Sequence, residues 1–371
     1  MFEKHPDLIK NVFNRSNQQQ GAQQKALAAS VATFASMLVK EDAPLPDHLL
    51  SRIGHKHVSL GVTEDQYQIV HDNLFYAIVQ ILGAEVVTQD VAEAWDSVYW
   101  IMARLLIGFE KQLYEDAKVQ PGQVFRQTTV VGREALTNDV VCFTIESKGS
   151  ERPLPAHLPG QYVSVRATLT DGAGQLRQYS LIDTGNQPGQ LSFAVKAIHG
   201  SETAPEGEVS NWLIENAQQR SILEISLPFG DFVLDTKSKS PVVLISAGIG
   251  ATSMIGMLSR LSVDASEHQV VVLHADTSSS TDALATERER LTSTIKNCEK
   301  HVFYHEGAAN ENTTIARMDL SKLEFPEGAE FYLCGSTSFL QEAREGLKAN
   351  RVEPTSVHYE LFMPNDWLLD E

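Results

Sequence analysis

The sequence predicts a multidomain protein: an all-α domain (residues 1–118), then an antiparallel β-barrel (residues 119–236), then a doubly wound α/β domain (residues 237–371). Three observations support this fold class. The chain has 371 residues, more than one ordinary hydrophobic core accommodates. Apolar residues recur at helical spacing up to about residue 118 and in short strand-like runs after it. From Pro241 onward, buried-type strands alternate with helical stretches, which is typical of a parallel sheet.

The helical pattern is clearest in the segments ALAASVATFASMLV and WDSVYWIMARLLIGFEKQLY. A turn-rich linker at residues 119–122 follows it. Short β-rich runs then alternate with Gly and Pro: VVCFTIES, QYVSVRATL, QLSFAVKAI and LEISLPFGDFVLD, with one helix at residues 210–213. This spacing predicts a small antiparallel barrel. The later runs VVLI, VVVLHA and FYLC are the strands expected in the parallel sheet.

Composition excludes some classes of partner. The net charge of -18 argues against nucleic acid or an anionic membrane surface, so we expect small-molecule partners. The three cysteines, Cys142, Cys298 and Cys334, form no CxxC pair, which favours reduced thiols in the cytoplasm. No apolar run is long enough to span a bilayer, and the N-terminal residues lack the apolar core of a signal peptide. We expect a cytoplasmic monomer.

A candidate flavin site begins at residues 177–180, with the sequence Arg-Gln-Tyr-Ser, where a turn leads into a strand. Arg177 and Tyr179 share one face of that strand, so a cation and an aromatic ring could bind a pyrophosphate and stack on a flavin. Such a pair alone is most often merely exposed. Two further segments accompany it: Tyr162 lies in an earlier strand, and Gly207 precedes a helix whose N-terminus could bind a phosphate.

In this order, these segments resemble the ferredoxin reductase-like flavoprotein superfamily. The resemblance implies that Arg177 meets the FAD phosphates, Tyr179 packs on the isoalloxazine, and Ser180 forms a hydrogen bond near the flavin N5. The implied FAD residues are Tyr162, Arg177, Gln178, Tyr179, Ser180, Gly207, Val209 and Ser210.

A candidate nicotinamide site follows the strand at residues 242–245. A Gly-x-Gly turn at the start of a helix can cradle a phosphate, and here a βαβ pattern supports it. Compared with the superfamily patterns GxGxTPM and CGP, the chain has Ser253 and Ser336 in place of proline. By residue type alone, Cys334 is a small buried thiol, whereas the resemblance implies that it lies near the nicotinamide. The implied residues are Gly248, Gly250, Thr252, Cys334 and Gly335.

The final strand and the end of the second parallel strand refine this site. The resemblance implies that Glu360 lies close to the flavin and that Phe362 covers its ring until nicotinamide displaces it. Asp276 follows the strand VVVLHA, and no Lys or Arg lies nearby in sequence. An acid at this position favours a free ribose hydroxyl over a 2′-phosphate, so we favour NADH and leave NADPH open.

His57 is the candidate metal ligand. It shares a helix face with Ile53, and a histidine on an apolar face is more often a core or surface residue than a ligand. However, Tyr67 and Glu110 are polar groups on otherwise apolar helix faces, and a ligating histidine usually donates its second ring N–H to such an acceptor.

The whole chain then resembles the flavohemoglobin family, its N-terminal part matching the globin domain. The residues that carry this resemblance are segments 13–18 and 56–59 together with Gln23, Leu27, Tyr67 and Glu110. The resemblance implies that His57 is the axial ligand of haem b. Glu110 would accept its ring N–H and Tyr67 would support that pair. Phe13 would pack against the haem edge, while Gln23 and Leu27 would shape the distal side.

Relative to the family, the first two helices are missing, and with them the distal tyrosine that donates to bound dioxygen. Met1 aligns just after that tyrosine. We favour a native start that lies upstream; the alternative is a globin domain without this donor.

The resemblance implies an NAD(P)H-dependent nitric oxide dioxygenase that contains haem b and FAD. Electrons would pass from NADH through FAD to haem, and NO and O2 would be converted to nitrate. The alternative is an FAD-dependent diaphorase in which the helical domain is vestigial or serves for docking. A third hypothesis, ranked last, is a haem-based redox or gas sensor.

Overall fold

In the computed structural model, the helical part of the chain comes first. The structure describes residues 1–2, 4–19, 21–40, 47–83, 85–149, 153–182, 187–201, 205–263, 268–309 and 312–362. The first helices are α1 Pro6–Asn11, α2 Arg15–Gln19, α3 Ala22–Leu38, α4 Asp47–Leu60, α5 Asp65–Leu82 and α6 Gln89–Asp116.

Helices α3 to α6 form one core. Phe34, Leu50, Tyr67 and Leu106, one from each helix, are buried in the same cluster. Helix α6 begins at an N-cap, since the Thr88 side chain accepts the backbone N–H of Val91. This packing places the middle of α4 beside α5 and α6.

A closed barrel follows. Its strands are β1 Phe125–Ala135, β2 Val140–Ser147, β3 Tyr162–Thr168, β4 Gly174–Ile182, β5 Gln190–Lys196 and β6 Ile222–Ser226, in the order β1-β2-β5-β4-β3-β6. Helix α7, Glu208–Asn216, lies between β5 and β6 in the chain. Alternate side chains such as Phe143, Phe193 and Ile225 point inward and form the barrel core.

One expected strand is shorter than its apolar run. The run LEISLPFGDFVLD leaves the barrel after Ser226 and afterwards makes only an isolated bridge, between Phe229 and Tyr162. Pro228 lacks a backbone N–H for the ladder, and Gly230 has φ +128, a conformation that favours glycine. The chain therefore turns here toward the next domain.

The last part is a parallel sheet flanked by helices. Its strands are β7 Val242–Ala247, β8 Val270–Asp276, β9 Cys298–Tyr304, β10 Thr313–Ile315, β11 Glu330–Cys334 and β12 Val357–Glu360, in the order β10-β9-β8-β7-β11-β12. The helices are α8 Ala251–Val263, α9 Ala285–Thr292 and α10 Thr337–Ala349. The strand order reverses between β7 and β11, and ligands bind beyond the carboxyl ends of the strands at such a point.

The expected fold class, an all-α domain followed by a β-barrel and a doubly wound α/β domain, is confirmed. Helix α8 packs against the barrel so closely that a Cβ on Gly256 would lie 2.7 Å from the carbonyl oxygen of Leu181. The helical part meets the barrel through a shared apolar cluster that includes Val58, Tyr162 and Phe229. Among the described residues, no helix has the length and apolarity that a membrane span requires.

Candidate functional site

Three side chains from three helices meet around His57 on α4. Its Nδ1 atom lies 2.8 Å from Glu110 Oε1 on α6 and 3.1 Å from the Tyr67 hydroxyl on α5. The Tyr67 hydroxyl also donates to Glu110 Oε1, at 2.5 Å. Burial, together with the Glu110 charge, raises the pKa of Tyr67 above its usual value, so this phenol remains a donor.

This arrangement selects one tautomer of His57. Because buried Glu110 can only accept while ionised, Nδ1 of His57 carries the hydrogen. The Nε2 atom then has a free lone pair, and it makes no hydrogen bond within the described residues. A neutral imidazole whose other nitrogen donates to a carboxylate is the usual form of a metal-bound histidine. The donor set therefore fits the axial ligand of a haem.

The expected distal residues lie on or near α3. Leu27 packs against the buried cluster that contains Phe34. Gln23 Oε1 accepts a hydrogen bond from Gln18, at 2.9 Å. Phe13, between α1 and α2, makes an edge-on contact with Phe2, with ring centroids 5.3 Å apart. The structure thus places Gln23 and Leu27 on α3, a helix that shares a buried core with α4.

A helix terminus and a cation define the expected phosphate site of the flavin. Gly207 is the N-cap of α7 and offers no side chain, so the first backbone N–H groups of the helix are open to an anion. A Cβ on Gly207 would lie 2.3 Å from Ser210 Oγ and 2.8 Å from Ile198 Cβ, so a side chain there would displace both neighbours. Val209 and Ser210 are buried in the first turn. Burial lowers the pKa of Arg177, and an anion at this point would relieve that cost.

The other predicted flavin residues lie on β3 and β4. Tyr179 stacks on Phe193 with ring centroids 5.5 Å apart. Ser180 is buried and pairs across the strands with Tyr162. Gln178 donates to Ser164 Oγ at 2.9 Å, so it belongs to a hydrogen-bond chain between β4 and β3. Gln178 and Ser180 therefore lie on the face of β4 toward α4 and α8, whereas Tyr179, on the alternate face, packs against the barrel core.

The glycine turn after β7 needs its glycines for two reasons. Gly248 has φ +52, where a side chain would be strained. Gly250 lies against the end of β11, and a Cβ there would be 2.4 Å from the carbonyl oxygen of Cys334. Thr252 donates to the carbonyl oxygen of Ile249 at 2.9 Å and closes the turn. The structure therefore brings the Gly-x-Gly turn and Cys334 together.

Both serines that replace the family prolines have structural roles. Ser253 is fully buried, and its hydroxyl lies 3.0 Å from Ser180 Oγ and 3.7 Å from Cys334 Sγ. It thus joins β4, which carries expected flavin residues, to β11, which carries the expected nicotinamide residue Cys334. Ser336 follows Gly335 and is the N-cap of α10, since its hydroxyl accepts the backbone N–H of Phe339. Sequence reasoning noted both positions but assigned them no contact.

Cys334 and Glu360 are neighbours across β11 and β12. Burial raises the pKa of the Cys334 thiol, so it is neutral and unreactive near pH 7. Burial also raises the pKa of Glu360, from 4.5 to about 7. Glu360 Oε2 is buried and has no hydrogen-bond partner among the described residues. Phe362, two residues later, is 43% exposed. Burial at the end of β12 thus brings the pKa of Glu360 toward neutral pH.

A buried network lies beneath Asp276 at the end of β8. Nε2 of His274 lies 3.5 Å from Asp282 and 3.7 Å from Asp276. These donor types also occur in metal sites, and the three groups are close enough for one. However, Arg288 forms a bidentate ion pair with Asp282, and the Tyr304 hydroxyl donates to the Asp282 carboxylate at 2.8 Å. We therefore interpret the network as support for the nucleotide edge of the sheet.

A second acid lies beside Asp276, which sequence reasoning missed. Glu306 is exposed just beyond β9, and its backbone N–H bonds to the carbonyl oxygen of Thr277 at 2.9 Å. The Asp276 carboxylate accepts hydrogen bonds from Thr277 N and Thr281 Oγ1, both at 2.6 Å. The signal in the sequence was an acid two residues after a strand, but β9 itself, CEKHVFY, has too little apolar character to stand out.

Arg15 on α2 forms ion pairs with the barrel domain that the sequence did not predict. It donates to Glu208, the first residue of α7, at 2.7 Å and also pairs with Asp171. Gln175 on β4 bonds three backbone carbonyls, those of residues 9, 10 and 13. The helical part therefore docks on the barrel beside the expected phosphate site.

The fold and this site define an oxidoreductase that joins a flavin-type barrel, a nucleotide-type parallel sheet and a helical domain bearing a histidine of metal-ligand type. Residues 127–234 match the family model described as oxidoreductase FAD-binding domain.

The chain is 36% identical to the flavohemoprotein of Bordetella parapertussis, over 98% of this chain and 91% of that protein. It is 33% identical to the flavohemoprotein of Bacillus subtilis, over 98% and 90%. The crystal structure of a flavohemoglobin from Malassezia yamatoensis, with bound FAD and haem, superposes with a TM-score of 0.87 at 33% identity, over 97% and 91%. The chain belongs to the flavohemoprotein family.

Part of the chain is also similar to the flavohem-like FAD/NAD-binding domain of nitric oxide dioxygenase from Vibrio cholerae. That match has a TM-score of 0.58 at 29% identity and covers 64% of this chain and 98% of that one.

Proposed function

We propose that the protein is an NAD(P)H-dependent nitric oxide dioxygenase that uses haem b and FAD. The observation that carries the proposal is the His57–Glu110–Tyr67 cluster, joined in one chain to a flavin and nicotinamide crevice. Support also comes from the similar Malassezia flavohemoglobin, which binds FAD and haem, and from the similar domain of the Vibrio nitric oxide dioxygenase.

At the haem site, His57 would supply Nε2 to the iron while Nδ1 donates to Glu110. A haem held in this way supplies a redox iron at which NO and O2 combine to nitrate. The Glu110 carboxylate makes the imidazole electron-rich, and Tyr67 fixes the carboxylate in place. Gln23 and Leu27 would line the opposite side, and Phe13 would pack against the haem edge and help to exclude water.

At the flavin site, the α7 N-terminus and Arg177 would hold the pyrophosphate, and Tyr179 would lie against the ring system. FAD supplies the conversion of a two-electron hydride into single electrons. Each NO that combines with O2 to give nitrate needs one electron, so one hydride serves two turnovers. Buried Ser180, oriented by Ser253, and buried Tyr162 would form hydrogen bonds at the ring.

At the nicotinamide site, Gly248, Gly250 and Thr252 would cradle the phosphates, and Cys334 and Gly335 would border the nicotinamide. NADH supplies the hydride. Asp276 and Glu306 place negative charge where a 2′-phosphate would lie, so we propose NADH as the preferred donor. Phe362 would give way when the nicotinamide enters, and Glu360 would hold or release a proton beside it.

The proposal includes the cytoplasm as the compartment. All three cysteines are free thiols, which persist best where the surroundings are reducing.

The test is nitrate formation by protein loaded with haem and FAD. NADH, O2 and NO should give nitrate at one NADH per two NO, and His57→Ala should abolish nitrate formation. The diaphorase alternative predicts no nitrate and an NADH oxidation rate that His57→Ala leaves unchanged.

A further inference from the structure

Helix α4 bonds to both of the other domains through residues near His57. Arg52 Nη2 donates to the carbonyl oxygen of Tyr359 on β12, at 2.8 Å. His55 Nδ1 accepts the backbone N–H of Gly230, at 3.1 Å. Ser59 Oγ accepts from Ser164 Oγ on β3, at 2.9 Å. The helix that carries the candidate haem ligand is thus docked on the parallel sheet and on the barrel.

Arg52 contacts the parallel sheet through two interactions, both with Tyr359. Besides the hydrogen bond, its guanidinium carbon lies 4.5 Å from the centre of the Tyr359 ring, a cation–π contact. Strand β12 is the edge strand of the sheet. An edge strand has backbone groups that no neighbouring strand bonds, so a side chain that bonds them fixes the position of the strand.

The charges around Arg52 favour this arrangement. Burial opposes its charge, but the nearby Asp231 and Glu360 carboxyl groups and the hydrogen bond to Tyr359 outweigh burial, so the pKa of Arg52 is raised. Lys56, one turn later on α4, also faces Glu360, and burial lowers the pKa of Lys56. Of these two cations, Arg52 therefore retains its positive charge more strongly beside the end of β12.

Strand β12 carries Glu360 and leads to Phe362, which the proposed function places at the flavin. Arg52 and His57 lie five positions apart on the same helix, α4. A single side chain thus links the element that borders the flavin to the element that would hold the haem iron.

We propose that Arg52 is a positioning residue for electron transfer: it fixes β12, the strand that borders the flavin, against α4, the helix that would hold the haem. This inference rests on the proposed function. Electron transfer between two bound groups falls steeply with their separation, so a small shift of β12 against α4 slows it. Reduction of the flavin by NADH depends on the barrel and the parallel sheet, which Arg52 does not join to each other.

The experiment uses the full chain loaded with haem and FAD, as wild type and as the variants Arg52→Met, Arg52→Lys and Arg104→Met. Methionine keeps an unbranched apolar stem but removes the guanidinium, and Arg104 is an exposed arginine on α6 that serves as the matched control. Stopped-flow absorbance under anaerobic carbon monoxide follows flavin reduction and then haem reduction after NADH is added.

In Arg52→Met, haem reduction should slow by about 10-fold or more, the order of loss that small misplacements cause. Flavin reduction and reduction of an added dye should slow much less than haem reduction, because the packing of the barrel on the parallel sheet does not include Arg52. Arg52→Lys should fall between the two, since lysine keeps the charge but not the planar fork. Arg104→Met should match wild type.

Hydrogen–deuterium exchange supplies a readout that does not depend on turnover. Amides of Val357–Glu360 should exchange faster in Arg52→Met than in wild type or in Arg104→Met, while those of β7 and β8 stay unchanged. Unchanged haem reduction in Arg52→Met, or an equal loss of flavin reduction, would overturn the positioning role. If wild-type protein reduces its flavin but never its haem, the proposed function itself is wrong, and the positioning role falls with it.

Discussion

Glu110 on α6 and His57 on α4 lie 2.8 Å apart, from carboxylate Oε1 to imidazole Nδ1, although 53 positions separate them in the chain. The same oxygen accepts the Tyr67 hydroxyl, so the carboxylate is held from two sides. One acidic side chain therefore decides which nitrogen of His57 is free to bind a metal.

Replacing Glu110 tests this relationship. In Glu110→Gln, the haem reduction potential should rise and nitrate formation should fall by about 10–100-fold. The neutral amide lacks the negative charge by which the carboxylate increases the electron density of the His57 imidazole. Spectroelectrochemical titration of the haem measures the potential. Glu115→Gln, an exposed change on the same helix, should leave both quantities at wild-type values. An unaltered potential in Glu110→Gln would count against the pairing.

The glycine turn after β7 gives a prediction about stability and nucleotide binding. Gly250→Ala should lower the free energy of unfolding by about 1–3 kcal/mol and weaken NADH binding, because backbone atoms of Cys334 and Gly335 cannot move aside for a Cβ. Chemical denaturation and NADH titration measure the two effects. Gly108→Ala, in an open position on α6, should instead stabilise by about 0.5–1 kcal/mol. Equal effects from the two variants would contradict the close packing.

Asp276 sets the expected preference for NADH. In Asp276→Asn, the ratio of kcat/KM for NADH to that for NADPH should fall by about 10-fold, since the amide no longer repels a 2′-phosphate. Steady-state kinetics with both nucleotides measure the ratio. Glu299→Gln, an exposed change near the opposite end of β9, provides the control. An unchanged ratio would show that Asp276 does not determine the preference for NADH over NADPH.

The raised pKa of Glu360 predicts that the free energy of unfolding depends on pH. Burial raises its pKa from 4.5 to about 7, so between these values the folded chain keeps a proton that the unfolded chain has lost. Its contribution therefore favours the folded state most below about pH 4.5 and is lost as the pH rises toward 7. The shift corresponds to about 3–4 kcal/mol at roughly 1.4 kcal/mol per pKa unit.

Urea unfolding of the cofactor-free protein at about pH 5 and about pH 8 measures this effect. Glu360→Gln mimics the neutral acid, so it should lose less stability than wild type between the two conditions. Glu345→Gln, an exposed change on α10, should follow wild type. Identical profiles for wild type and Glu360→Gln would show that this carboxyl group does not titrate in the interval.

Much of the architecture could be predicted because it depends on local patterns. Helical spacing in α6 and short apolar runs in β2, β7 and β8 predicted those elements. Strand β9 was missed, since CEKHVFY has charged residues in its first half. It forms a strand because β8 and β10 pair with it on both sides, and that pairing is a property of the sheet.

In the candidate site, too, some features depend on local sequence and others on tertiary packing. The sequence itself determined the residue types that the chemistry needs: a histidine with a carboxylate and a phenol on nearby helices, glycines at tight turns and an acid after β8. Those requirements are local, because backbone conformation and side-chain chemistry belong to single residues or short segments.

Only the tertiary structure decided that Ser253 bonds Ser180 and that Arg52 bonds a residue 307 positions away. Such contacts depend on how whole domains pack, and the packing energy is spread over many apolar side chains, none of which specifies a partner by its own position in the chain. The link between the expected haem helix and the flavin-side strand is therefore a property of the folded protein.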